Sequence, residues 1–421
     1  MPDVSPFRGL VYDAAVAGPL DLVTAAPYDT ISDVRLHELM AASPFNIVRV
    51  DLAEGSGGSS DPQSRYARAK ELLADWEARG VLMRTPEPAY FAYRMTYAVA
   101  GRDRTLTGLV VAMALEDWGG SVIPHERTMP GPLEDRLRLL RATRTHLSAV
   151  YGTIEGPCAP LAARLEDATA GPAAFEAVDE QGVTHAMWPV APDPDIAAWL
   201  AAEPLLIADG HHRYTTALGY KQERDTADGP GPWDRVLTLI VDAATERPPV
   251  LPFHRVQTAG AVPPLGEFVR DLETVLARVS DEGTVVGRVE REGDAIRYRV
   301  LTLDGAPPAV RALHEEILDD RVPAGSLRFV SDASAAEAAV RDGDAVAAYL
   351  LPPTTPERIR AAIDGGQRLP QKSTYFWPKP RTGMIMLPLD GPEGRNAEGT
   401  EQGVRLDAAP ALSPRPPAPA S

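Results

Sequence analysis

Lysine is nearly missing from this chain: only Lys70, Lys221, Lys372 and Lys379 stand among its 42 basic residues. The single cysteine, Cys158, excludes an internal disulfide and any cysteine-cluster metal site; it suits a reducing compartment and reads as a packing residue. No apolar run reaches membrane-spanning length, and the N-terminus lacks a basic start followed by an apolar signal core. A cytoplasmic protein with no membrane partner is therefore expected. Positive charge is also short. With 59 acidic residues and a net charge of −17, nucleic acid is not expected as a partner, because phosphate backbones are held by clustered Lys and Arg.

What is present describes a soluble globular chain. Its 421 residues suggest two or three domains, with 44% hydrophobic and 24% charged content. The most informative stretch runs from Leu205 to Leu218. Leu205, Leu206, Ile207 and Ala208 read as a buried strand, Gly210 as a tight turn, and Tyr214, Ala217 and Leu218 as the inner face of a helix. Asp209, Gly210, His211, His212 and Arg213 thus fall at a strand-to-helix turn. The first amides of a helix lack internal partners and carry the positive end of its dipole, so such a turn with an added Arg favours phosphate. A lone His or Arg at a helix start is more often a cap; a run of four polar residues around a glycine points to a ligand.

Along the rest of the chain, Ser32 is expected to cap a helix and residues 46–52 to alternate as a half-buried strand. A Gly/Ser loop over 55–60 leads to a helix capped by Asp61, with Tyr66, Ala69, Leu73 and Trp76 on its core face. Strands over 90–99 and 105–115 pair around Gly101. His125 and Glu126 precede a helix whose apolar face carries Leu133, Leu137, Leu140 and Leu147; taken alone, these two would be a packing histidine and a surface carboxylate. A hairpin strand over 182–189, a helix capped by Asp193, and a strand over 236–241 complete an α/β, mixed α+β, arrangement. Helices are expected over 265–279 and 309–318, and strands over 295–303 and 345–351. Residues 369–380 concentrate aromatics with two of the scarce lysines, as either a ligand-facing segment or a proline-rich edge strand whose lysines deter aggregation. From Gly391 onward, composition predicts a disordered tail.

His125-Glu126 and Asp209-Gly210-His211-His212-Arg213, with Pro27-Tyr28-Asp29 and Lys372-Ser373-Thr374-Tyr375-Phe376, resemble a bacterial and archaeal family of unassigned function (domain-of-unknown-function family ten-fifteen). The central turn also resembles the phosphate-binding turn of the ParB and sulfiredoxin superfamily, and within it that of the free serine kinases. This implies a ParB/sulfiredoxin-like core over 121–255 with an insertion over 152–200, flanked by α/β regions over 1–120 and 256–390, ahead of a tail over 391–421. It further implies ATP or ADP with Mg²⁺ as cofactors and a small-molecule substrate such as L-serine. Glu126 then matches the base, with Asp209 and His212 in catalysis. Gly210, His211, His212, Arg213 and Lys372 hold the nucleotide, Tyr28, Asp29 and His125 the substrate, and Asp209 the metal. About 80 residues separate Glu126 from Asp209, more than a compact kinase needs. A sulfiredoxin-like activity lacks its thiolate, since His211 stands where that cysteine would lie. A ParB-like clamp lacks a basic surface.

Phosphoryl transfer needs charge stabilisation on the moving group and a base for the attacking hydroxyl, and these residues could supply both. Two alternatives stay open. One is a metal-dependent phosphoesterase ligated by His125, Glu126, Asp209, His211 and His212, although adjacent histidines tend to point apart. The other is a nucleotide-sensing module without turnover.

Overall fold

The computed structural model describes residues 2–53, 62–99, 101–128, 130–293, 295–305, 308–366 and 368–390. The loop over 55–60, the Asp61 cap and the tail from Gly391 lie outside the described residues.

A mixed α/β body is built on nine strands: β1 (Val4–Ser5), β2 (Tyr90–Val99), β3 (Arg102–Ala114), β4 (Val122–Ile123), β5 (Val150–Ile154), β6 (Phe175–Val178), β7 (Thr184–Val190), β8 (Leu205–Asp209) and β9 (Arg235–Asp242). Their order is β4-β8-β5-β9-β3-β2-β7-β6, with β1 on β3. Both faces are covered. Leu205 and Ile207 pack in one core and Leu206 and Ala208 in the other, which is why β8 reads as an unbroken apolar run.

Residue 120 does not separate two sheets: β2 and β3 share one sheet with β4, β5, β8 and β9, and the stretch over 152–200 contributes β6 and β7 to it. The partition into 1–120 and 121–255 therefore cuts through hydrogen-bonded strands.

A second sheet joins β10 (His254–Gln257), β11 (Glu267–Val269), β12 (Val285–Glu292), β13 (Ala295–Thr302), β14 (Leu327–Val330) and β15 (Ala347–Leu350) in the order β11-β13-β12-β15-β10-β14. The chain then returns to the first body, where β16 (Tyr375–Phe376) pairs with Val250–Leu251.

Most local readings hold. Helix α1 (Asp33–Ala42) is capped by Ser32, whose hydroxyl accepts the Arg35 amide at 3.3 Å. Residues 46–52 differ: they form α2 (Val48–Asp51), because the Asn46 side chain accepts the Val48 amide at 3.0 Å and donates to the Leu22 carbonyl at 2.8 Å. Helix α3 (Pro62–Ala78) buries Tyr66, Ala69, Leu73 and Trp76. Helix α4 (Pro130–Thr143) ends before Leu147, which packs beyond it. Helices α5 (Ala159–Ala168), α6 (Pro194–Ala201) and α7 (His211–Asp228) follow. Cys158 is buried ahead of α5, and its amide donates to Asp242 Oδ2 at 3.0 Å. The helix expected over 265–279 is shorter. Glu267–Val269 pairs with β13, and α8 (Leu272–Arg278) starts only at the Asp271 cap. No described helix is long and apolar enough to cross a membrane.

Candidate functional site

Strand β8 carries a register shift between Ile207 and Asp209, so its last residue leaves the regular ladder at the mouth of the turn. Gly210 follows with φ +93°, a left-handed conformation that side chains disfavour, and a Cβ there would lie 3.1 Å from the Arg213 guanidinium. No side chain caps α7.

Three distant segments meet this turn. Strand β4 pairs in parallel with β8, which carries His125 and Glu126 alongside it. Leu369 bridges to Glu126: its amide donates to the His125 carbonyl at 2.8 Å, and the Arg127 amide donates to its carbonyl at 3.0 Å. The 3-10 turn Tyr28–Thr30 brings Asp29 from the N-terminal region. One cleft of about 500 Å³ is lined by Tyr28, Asp29, Glu126, Asp209, Gly210, His211, His212, Arg213 and Lys372, with Arg127, Phe253 and Thr374. His125 lies just behind it, buried.

The charged groups are already paired. Asp209 binds Arg213 through Oδ2 and Lys379 through Oδ1, and Lys372 binds Asp29. Burial works to raise both carboxyls, but Lys379 with Lys372 and Arg213 holds Asp29 well below the usual range, and Lys379 with Arg213 lowers Asp209. Lys379 is pushed up, because Asp209 and Asp29 outweigh the burial that opposes its charge. Arg213 also donates to the Ala149 carbonyl and, at 3.3 Å, to the Ser148 hydroxyl.

Glu126 is held by four hydrogen bonds from the Lys372–Thr374 segment. Its Oε2 accepts the Lys372 amide at 2.9 Å, while Oε1 accepts the Ser373 amide at 3.0 Å, the Thr374 amide at 2.9 Å and the Thr374 hydroxyl at 2.8 Å. Lys372 has φ +53°, so these successive amides form a concave nest around the carboxylate. Burial pushes Glu126 up, yet contacts with His125, His211 and Thr374 hold it well below the carboxylate range. This geometry weighs against Glu126 as a base.

The histidines differ in kind. His125 Nδ1 donates to the Ile207 carbonyl at 2.8 Å, and Nε2 faces the Thr374 hydroxyl at 2.7 Å. His211 Nε2 accepts the His125 amide at 3.3 Å, and burial followed by His125 drives its pKa down to about 3. His212 lines the cleft, lowered by burial and then Lys372. Tyr28 lies under the Arg136 guanidinium at 4.2 Å, and burial with Asp29 raises its phenol well above the ordinary value.

A resident metal does not fit. Both Asp209 oxygens are taken by cationic side chains, and among the described residues no group of three or more His, Cys, Asp or Glu could hold a metal ion. Asp209 therefore does not fit its expected part as a metal ligand.

Residues 4–321 match the family described as "Protein of unknown function (DUF1015)". The chain belongs to that family. No curated protein matches it. Among solved structures, a free serine kinase in complex with AMP is similar at 12% identity, over 61% of this chain and 83% of that one, with a TM-score of 0.35. A conserved hypothetical protein from Pyrococcus furiosus is similar at 13% identity over 62% and 90%, TM-score 0.33. SbnI with a C-terminal truncation, from Staphylococcus aureus, is similar at 12% identity over 65% and 85%, TM-score 0.29. Likenesses this distant carry no argument about function.

In this DUF1015 chain two further residues shape the site, one within the Lys372–Phe376 motif and one with no motif to announce it. Thr374 joins His125 to Glu126. Arg255, fully buried, donates to the carbonyls of Phe253 at 2.8 Å, Lys372 at 2.7 Å and Gln371 at 3.1 Å, so the Lys372 loop is held from both sides. Burial lowers the Arg255 guanidinium to about 9. Arginine is so common in this sequence that Arg255 carries no signal by itself; scarcity did mark Lys372 and Lys379.

Proposed function

We propose that this chain binds the phosphates of an adenine nucleotide, ATP or ADP, at the first turn of α7 and transfers a phosphoryl group to a small hydroxylated metabolite. A ParB/sulfiredoxin-like core would present the turn, and L-serine is the first acceptor to test. One observation carries the reading: Arg213, Lys372 and Lys379, from two separate segments, meet at the uncapped start of an 18-residue helix. The amides of a helix's first turn and converging cations suit a phosphate chain.

In this reading Arg213, Lys372 and Lys379 keep their carboxylates, turn their remaining N–H donors to phosphate oxygens and stabilise the charge that spreads over the moving group. His212, neutral at pH 7, takes the acceptor proton. Tyr28 stays protonated and donates. Glu126 shapes the Lys372 loop. Mg²⁺ would enter on the nucleotide, neutralising its phosphates, without a protein ligand set of its own.

Binding without turnover is a second reading, favoured by the internal pairing of all three carboxylates at the cleft. Calorimetry with ADP and ATP, with and without Mg²⁺, tests the site, and phosphoserine formation from L-serine tests the chemistry. No nucleotide binding at millimolar concentration sinks both readings. Binding with no product from any hydroxylated acceptor leaves the second.

A further inference from the structure

A second cleft of about 1280 Å³ adjoins the turn and shares Asp29 and Phe253 with the first. Its wall includes Arg35 from α1, Glu180 from the β6–β7 turn and Arg381 from the C-terminal segment. Arg381 is only 4% exposed. Its Nε donates to the Thr24 hydroxyl and its Nη2 to the Thr24 carbonyl, both at 2.7 Å, which fixes the guanidinium and leaves Nη1 buried with no hydrogen-bond partner. Arg35 Nε is likewise buried without one.

The two guanidiniums flank the same oxygen, while Arg35 Nη1 donates to Glu38 Oε2 at 2.9 Å. Glu180 Oε2 lies 3.6 Å from Arg381 Nη1 and 3.7 Å from Arg35 Nη2, beyond hydrogen-bond length for either. The turn that displays Glu180 is firm, since Asp179 Oδ1 accepts the amides of Gln181 at 2.9 Å and Val183 at 2.8 Å. The Glu180 side chain itself is 38% exposed and can swing to solvent.

We infer that Arg35 and Arg381 form a seat for the carboxylate of a small ligand, and that Glu180 is a resident stand-in which the ligand displaces. A buried guanidinium donor without an acceptor is costly, and a carboxylate oxygen at hydrogen-bond distance from Nη1 would satisfy it. Glu180, at 3.6 Å and 3.7 Å, makes no such bond. A ligand that is free to orient pairs with Nη1 directly. Lys379, two residues before Arg381, binds Asp209 at the turn, and two residues span at most about 7 Å. Because the two clefts share Asp29 and Phe253, a short hydroxy acid seated on Arg381 would direct its other end toward the phosphate cleft. That reach rests on the phosphoryl-transfer reading; the seat does not.

Calorimetry on the full chain with glycerate, glycerol and inorganic phosphate tests the inference. Wild type should bind glycerate and ignore glycerol, because only the carboxylate is recognised. Glu180→Gln should bind glycerate about tenfold tighter, and Arg35→Gln about tenfold weaker, with nucleotide affinity unchanged in both. Both substitutions lie at the surface and are expected to fold; Arg381→Lys, with its folding checked by circular dichroism, adds the buried arm. No glycerate binding by Glu180→Gln at tens of millimolar overturns the seat. Phosphate binding tighter than glycerate, with the same variant response, overturns the carboxylate assignment. Glycerate binding without nucleotide binding keeps the seat and sinks phosphoryl transfer.

Discussion

Glu126 accepts the backbone amide of Lys372 at 2.9 Å across a separation of 246 residues. The contact makes the loop that carries Lys372 part of the turn site, and it gives Glu126 a role that can be separated from proton transfer.

Glu126→Gln should lower stability and nucleotide affinity together. The glutamine oxygen can keep the Ser373 and Thr374 donors, but its NH2 then faces the donating Lys372 amide, and losing charge-assisted hydrogen bonds costs about 1.5–3 kcal/mol. Urea unfolding beside a binding isotherm reads both. A variant with wild-type stability and affinity but no turnover would restore Glu126 as the base.

Lys372→Ala and Lys379→Met should each weaken nucleotide binding by about ten- to a hundredfold, the value of one charge-assisted contact. Lys70→Ala, on an exposed face of α3, should leave it unchanged. Equal, negligible effects from all three, measured by calorimetry, would return 369–380 to a purely structural segment.

How much of this was readable depends on distance along the chain. The β8–Gly210–α7 unit is local, so spacing and a single glycine were enough to place it. The pairing of Asp29 with Lys372 spans 343 residues and leaves no trace in periodicity. Residues 46–52 misled for a different reason: four apolar side chains in seven positions suit a strand or a buried helical turn, and the Asn46 side chain decides between them. Gly266, at φ +94°, and the Asp271 cap divide a stretch that composition alone runs together.

Gly210→Ala should destabilise the protein by about 1–2 kcal/mol and impair nucleotide binding, since it forces a side chain into φ +93° and onto the Arg213 guanidinium. Thermal unfolding and calorimetry check it. An alanine variant with unchanged melting and affinity would mean that the turn relaxes freely.

Acid should unfold the protein through its buried imidazoles. Burial lowers His146, His254 and His314 to about 4 and His211 to about 3, against 6.5 in an unfolded chain. Below pH 6.5 the unfolded state binds protons that the folded state refuses, so stability is full above that pH and falls through the window down to about 4. His146 alone should account for roughly 3 kcal/mol of that loss. Urea midpoints measured from pH 7 to pH 4 should fall steeply, and less steeply in His146→Gln. Parallel profiles would show that His146 is not the sensor.

The Lys379–Asp209 pair has a consequence for synthesis. Asp209 is translated 170 residues before the lysine that pairs with it. At about 5–20 residues per second, the turn waits roughly 10–30 s on the ribosome with only Arg213 to pair Asp209 and with Lys372 and Thr374 missing from its wall. In the proposed reading, a chain stopped short of residue 379 would keep Arg213 at the turn but lack Lys379, and should bind nucleotide weakly.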